Sequence, residues 1–565
     1  MSKKRRVSRR SNRRPASGLK PSLRLSQGDL DAIGDELTTY NRLFQAVFQR
    51  REQRYWSLVY LCGQLSDLER KTIEPMVLAL LGPEPNAVRA VEHFISQGQW
   101  PASALIRRYQ EVVAEWLGDA RGVVIIDGSG FPKQGHDSAG VAHQYCGALG
   151  KLANCQEGVF AVYVSPGGAA FLDKRLYLPQ DWFEATYRER WQKCGIPADL
   201  PFRTEPELAL DMLGELVTRG RIPFQWVTCD EHFGESPVLL DKIDALGKWY
   251  LAEVPCNTRV WLHTPPIEPP GPGLLGRPRT RPRLAMNAPR ARELRDIAAS
   301  LPKSAWTRFT FKEGSKGAMV AEFACLRVTT VRDTLPGPRV WAVFRRSLHQ
   351  PLELKVYVSN APHTCAHYEL AQLCGLRWPV ETLFKEGKGE VGMDHYETRT
   401  WLGWHHHMAQ TFLAHLFLMR LRLVLKKNAR ADHRPSTPVS RACYPRRRGT
   451  AIRHSRHPCL PSTTKLCSLS FSPFTPSQTA ANDSKTLKSR SNAKSRSNIN
   501  HPHHPWRRPA ASATYSLSKS FVSSTDRIYS LTPAPPVRCN QNGPPFGSIS
   551  SAKRKKAQQS RSCVI

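Results

Sequence analysis

The chain has 565 residues, room for three or four domains of ~150 residues each. Its formal net charge of +35 sits at the two ends. Residues 1–20 hold nine Lys/Arg and no acid, and residues 427–565 hold 25 Lys/Arg against three Asp and no Glu, whereas the middle carries 48 basic against 44 acidic side chains. Such a distribution suits a polyanionic partner but excludes a uniformly basic, DNA-coating protein of histone type. Fourteen scattered cysteines with no C-x-x-C pair, and no apolar run behind Met1, point to a reduced, intracellular protein without a signal peptide or a thiolate zinc site. The longest apolar stretch, Thr411 to Leu425, is broken by His415, Arg420 and Arg422 and is shorter than the ~18 residues of a membrane span.

Residues 1–20 form a Ser/Arg-rich arm with nothing to bury, expected to stay disordered until it meets phosphate. From Leu30 to about Leu117 apolar residues recur at three- and four-residue spacing, with breaks at Gly82-Pro83 and Trp100-Pro101, which predicts a module of short helices over 21–118. Behind a basic arm such a module suits duplex binding, and a helical packing domain fits equally well. At Arg121 the pattern changes. Val123-Val124-Ile125-Ile126 reads as a strand buried on both faces that ends at Asp127-Gly128-Ser129-Gly130. Further strands are expected at Val159 to Val164 and Phe224 to Thr228, with a helix over Glu205 to Val217 between them, so residues 119–254 read as the first part of a mixed α/β sheet. Residues 264–283 are too proline-rich to continue a sheet, and strand patterns return between Trp306 and Val358, so 255–360 reads as a β-rich insertion. Helical patterning resumes from about Thr364 to Leu425. Residues 427–565, with 25 Ser and no sustained period, read as a disordered basic tail, and translation out of frame is a second explanation for it.

Carboxylates at strand ends draw attention because ligand-binding groups of α/β sheets collect there. Asp127 follows one apolar strand and Asp230 another. Asp-Gly is also a common turn dipeptide, so either residue alone carries little weight. Together they resist ionisation unless a cation lies between them, which favours a divalent metal. A third candidate, Glu381, shares a helix face with Lys385 and Lys388, and Arg377 joins that stripe unless the helix starts at Pro379. Consecutive residues of a helix point about 100° apart, so His405-His406-His407 cannot converge on one ion. We expect these histidines to face solvent or DNA, with Trp401, Trp404, Met408 and Phe412 in the core.

In combination these segments resemble the DDE transposases of bacterial insertion sequences. Arg377, Glu381 and Lys388 stand at the spacing of that family's Tyr, Arg, Glu, Lys signature, with Cys374 where the Tyr belongs. Asp127-Gly128-Ser129-Gly130-Phe131-Pro132-Lys133, Gln144-Tyr145-Cys146-Gly147, Asp230-Glu231-His232-Phe233-Gly234 and Asp394-His395-Tyr396-Glu397 are similar to the branch known as DDE superfamily endonucleases, over roughly residues 45–425. The resemblance implies an RNase H-like mixed sheet with flanking helices, split by the β-rich insertion before the Glu and completed by residues 361–426. It implies Asp127, Asp230 and Glu381 as ligands of two Mg2+ or Mn2+ ions, and Arg377, Lys385 and Lys388 as DNA contacts. The implied function is metal-dependent cleavage at transposon ends and strand transfer into target DNA, by a cytoplasmic, nucleoid-associated homodimer bound to terminal inverted repeats. Two alternatives are an inactive DNA-binding remnant and an RNase H-like nuclease without strand transfer.

Overall fold

The computed structural model describes residues 27–432, apart from 272–278, 315–316 and 349–352. The basic arm and the tail beyond 432 lie outside the described residues. Those described belong to a single compact unit.

Five helices come first: α1 (Gln27–Arg42), α2 (Arg51–Leu65), α3 (Ile73–Leu81), α4 (Ala87–Ser96) and α5 (Ala102–Leu117). The breaks read from Gly82 and Pro101 fall between them. Their apolar faces pack onto the long final helix α13 (Trp401–Asp432) rather than forming a separate core, and residues such as Tyr40, Tyr109, Phe412 and Phe417 are fully or almost fully buried there.

Strands β1 (Val123–Pro132), β2 (Ala142–Cys146), β3 (Lys151–Ser165) and β4 (Gly168–Leu176) form an antiparallel set in which β3 pairs with β1 along one edge and with β2 and β4 along the other. After α6 (Arg188–Lys193) comes α7 (Glu205–Arg219), which is delimited by its own sequence. Thr204 and Glu207 cap its start reciprocally, and Gly220 ends it in the left-handed region at φ 59°. Next are β5 (Trp226–Cys229), α8 (Glu231–Gly234), α9 (Pro237–Ala245) and β6 (Trp249–Val254). β5 runs parallel to β1, and β6 parallel to β5. The order β4-β3-β1-β5-β6, with β3 antiparallel and β5 and β6 parallel to β1, is the mixed sheet expected of an RNase H-like core.

The β-rich stretch contains β7 (Arg259–Trp261), the small pair β8 (Ile267–Glu268) and β9 (Arg283–Leu284), β10 (Arg292–Glu293), α10 (Leu294–Ser300), and strands β11 (Thr307–Gly314), β12 (Gly317–Arg332), β13 (Leu335–Arg346) and β14 (Leu354–Ser359). It does not form a sheet of its own. β14 pairs antiparallel with β6, so β13, β12 and β7 extend the core sheet to twelve strands. Helices α11 (His367–Gly375) and α12 (Trp378–Val391) lead to α13.

Two expectations are corrected. β1 does not end at Asp127; it continues through Gly128, Ser129 and Gly130 to Pro132, because β3 is long enough to pair with it throughout. Pairing on the other edge, with β5, stops at Ile126, so Asp127 ends the parallel ladder without ending its strand. Of the run His405-His406-His407, the last two do not face solvent or DNA, while His405 is half-buried and lines a cavity. His406 stacks on Trp100 at 3.6 Å with its ring nitrogens 2.8 Å from the carbonyl oxygens of Ile95 and Trp100. His407 lies between the Tyr60 hydroxyl, at 2.7 Å, and the Met393 carbonyl. Polar groups with partners on the helical module let this face of α13 be buried. Trp404, Met408 and Phe412 are in the core as expected, and Trp401 is half-buried.

Candidate active site

The parallel registers assemble the site. Ile126 lies opposite Cys229, and Cys229 opposite Ala252, so the next residues, Asp127, Asp230 and Glu253, stand side by side where the parallel ladders of three adjacent strands end. Asp230 caps the single turn α8 through its Phe233 amide, 3.2 Å away, and Asp127 accepts from the Gly128 amide at 2.9 Å. Gly234 lets α8 approach β6, since a Cβ there would lie 1.9 Å from the Glu253 carbonyl oxygen.

Helix α12 supplies the other side. Pro379 occupies its first turn and Arg377 is its N-terminal cap, so the helix starts where the sequence allows a break. Glu381 lies in that first turn, exposed. The Arg377 guanidinium is 3.9 Å from Asp127 and 3.6 Å from Glu253, and it is close enough to Asp230 and Glu381 to feel both charges. Burial opposes its charge, but these four carboxylates outweigh burial and raise its pKa. Glu253 is also held by Lys355 at 2.8 Å.

Asp127 is pushed up to about 7, chiefly by burial. Arg377 works against that rise, while Asp230 and Glu381 add to it. A second acidic group adjoins the first. Glu157, opposite Gly130 on β3, is pushed up to about 8 by burial and by Glu205, with Lys388 opposing. Glu205 in turn lies 3.1 Å from His232, the residue two beyond Asp230.

The expected DNA contacts are not equivalent. Arg377 is engaged with carboxylates. Lys388 is half-buried and donates to the Gly130 carbonyl oxygen at 2.9 Å, which ties α12 to β1. Lys385 is exposed. Cys374 is buried and its thiol donates to the Leu370 carbonyl oxygen one helical turn back. Sequence reasoning missed Glu253, Glu157 and Glu205. Glu253 carried a usable signal, since it nearly ends the apolar run Trp249 to Val254; Glu157 and Glu205 carried none.

Among the described residues, no three His, Cys, Asp or Glu side chains already stand close enough to hold a metal ion as they are. The donor set nevertheless fits a hard divalent cation. It offers only oxygen, and Asp230 and Glu381 add to the burial that raises the Asp127 carboxyl, a repulsion that a cation among them would relieve.

A family model described as DDE superfamily endonuclease matches residues 43–318, enclosing Asp127 and Asp230 and ending before Glu381. The chain is 25% identical over 333 residues to a probable transposase for insertion sequence element IS701 from Microchaete diplosiphon, covering 58% of this chain and 73% of that protein. Among solved structures it is similar to the cryo-EM structure of the piggyBac transposase synaptic complex with hairpin DNA, with 10% identity and a TM-score of 0.31, over 74% of this chain and 84% of that one. No helix among the described residues is long and apolar enough to cross a membrane.

Proposed function

We propose that the chain is a DDE superfamily endonuclease, as the family model over residues 43–318 and the 25%-identical transposase support, and that it is an insertion-sequence transposase that cuts DNA at transposon ends and joins those ends to target DNA. The observation that carries this reading is the juxtaposition of Asp127 and Asp230 by the β1–β5 register, with Glu381 brought to the same charge cluster by α12. Asp127, Asp230 and Glu381 would hold divalent metal, Mg2+ or Mn2+, which when bound supplies Lewis-acid polarisation of the phosphodiester and a low-pKa water.

The chain's own residues have separable tasks. Asp127 and Asp230 are held in place because one lies within β1 and the other directly follows β5, and each accepts a backbone N–H. Glu381 is on an exposed first helical turn, so it is the ligand free to adjust. Arg377 balances the carboxylates in the free protein; with DNA present it would be the cation nearest the developing negative charge. Lys388 fixes the distance between α12 and β1 through Gly130. Exposed Lys385 suits a DNA phosphate outside the reacting centre. Two ends must be brought together for transposition, which favours a homodimer in the DNA complex.

Purified protein, duplex end oligonucleotides and Mg2+ test the reading. Wild type should nick the end and join it to a target plasmid, whereas Asp127→Asn and Glu381→Gln should retain end binding in a mobility-shift assay and lose both reactions. Nicking by either variant at the wild-type rate would overturn it. Nicking without joining by wild type would favour the nuclease alternative.

A further inference from the structure

A cavity of about 570 Å³ lies at the outer edge of the core sheet, between β4, the start of α5, α7 and the first turn of α13. Its size is that of small-molecule sites. Three carboxylates in its wall are matched by three arginines: Arg175 contacts Asp173 and Glu215 at 2.8 and 2.7 Å, Arg219 contacts Glu215 at 2.7 Å, and Arg203 stands 3.7 Å from Asp211. Lys174, also in the wall, is left over. Its residue is 4% exposed, yet among the described residues no carboxylate lies within ion-pair distance of its amine. Burial lowers that amine to about 8, with Asp173 opposing the shift. An ammonium on so nearly buried a side chain, with carboxylates near it but none in contact, is favoured by an anion that meets it.

Other features of the wall favour the same kind of ligand. His405 Nε2 is buried without a hydrogen-bond partner. Ala102 and Ser103 place the amino end of α5 at the cavity, and that 16-residue helix has no side-chain cap, so its first N–H groups and dipole favour an anion. Trp401 and Phe183, both half-buried, supply flat apolar surface. The wall therefore asks for one negative charge attached to a flat ring.

We propose that this cavity binds a nucleotide, with its phosphate on Lys174 and the amino end of α5, and its base against Trp401 and Phe183. The nucleotide is either an unstacked unit of the DNA strand or a free nucleoside monophosphate. The site is separate from the carboxylate cluster but held in register with it. Lys174 pairs with Phe160, and Phe160 pairs with Asp127, so two inter-strand spacings, ~10 Å, separate Lys174 from Asp127. That is about three stacked nucleotides at ~3.4 Å each. Phe160, packed on Phe384 and Trp404, walls one site from the other.

The test uses the full chain and does not depend on cleavage. Titration with deoxyadenosine monophosphate should quench tryptophan fluorescence, because Trp100 and Trp401 line the cavity. Lys174→Met, which removes a buried charge and preserves the stem, should weaken binding about tenfold or more, the size of a lost charge-assisted hydrogen bond. Trp401→Leu should weaken it while retaining its dependence on phosphate, and deoxyadenosine should bind more weakly than its monophosphate. Asp127→Asn should bind the nucleotide as wild type does, so a failure of the catalytic assignment leaves this result readable. A single-stranded oligonucleotide carrying 2-aminopurine distinguishes the sources. Fluorescence that rises on wild type, not on Lys174→Met, and is reversed by deoxyadenosine monophosphate identifies the strand; mononucleotide binding without that response identifies the free nucleotide. Equal affinity of folded wild type and Lys174→Met, confirmed folded by circular dichroism, or no binding of either probe, would overturn the proposal.

Discussion

Removing the Asp127 carboxylate should stabilise the metal-free protein, and the gain should depend on pH in a defined direction. The fold raises the Asp127 pKa from an ordinary 3.8 to about 7, through burial first and then through Asp230 and Glu381 against the opposing Arg377. A raised acid binds its proton more tightly when folded. Its stabilising contribution is therefore complete below about pH 3.8 and is lost as pH rises to about 7. At ~1.4 kcal/mol for each tenfold change in proton affinity, the penalty approaches ~4 kcal/mol at pH 8, as an upper bound. Asp127→Asn keeps the shape and carries no charge at any pH. In EDTA, urea denaturation of the two proteins should give similar stability near pH 4 and a growing advantage for the variant up to pH 8. Mg2+ should reverse the order at pH 8 by binding the native wild type in preference to its unfolded chain. A wild-type-to-variant difference that does not change between pH 4 and 8 would refute the argument that Asp127 is buried against its own charge.

Arg377→Met should act in the opposite sense, destabilising the metal-free protein by about 3 kcal/mol at pH 8, because four carboxylates lose a shared counter-charge; the deficit should shrink towards pH 4, as read by thermal melts. Gly234→Ala would place its Cβ 1.9 Å from the Glu253 carbonyl oxygen. It should cost about 1–3 kcal/mol by overpacking and reduce end cleavage by displacing Asp230, a paired change that melts and a nicking assay would detect. Lys385→Ala should leave the melting temperature unchanged and lower the slope of log affinity against log salt for end DNA by about 1, as expected of one lost phosphate contact.

The local chemistry of this chain is legible where neighbours close in sequence decide it. The β-branched run Val123 to Ile126 specifies a strand buried on both faces, and all four residues are buried. Thr204, Glu207 and Gly220 delimit α7 by capping alone. The spacing of Arg377, Glu381 and Lys388, with Asp127 and Asp230 before it, is what gives the sequence its resemblance to DDE transposases. Tertiary structure decided the rest, because burial and charge depend on segments distant in the chain. Only the pairing of β1 with β5 and of β5 with β6 puts Glu253 beside the two aspartates. Only the length of β3 carries β1 past its glycines, where turn propensity predicted an end. The histidines of α13 look polar in sequence, yet His406 and His407 are buried because α2, α4 and Trp100 supply what their ring nitrogens need. Nothing in the sequence sets Lys174 apart until the edge strand, α5 and α13 enclose it out of ion-pair reach of the carboxylates around it, and that is a property of packing alone.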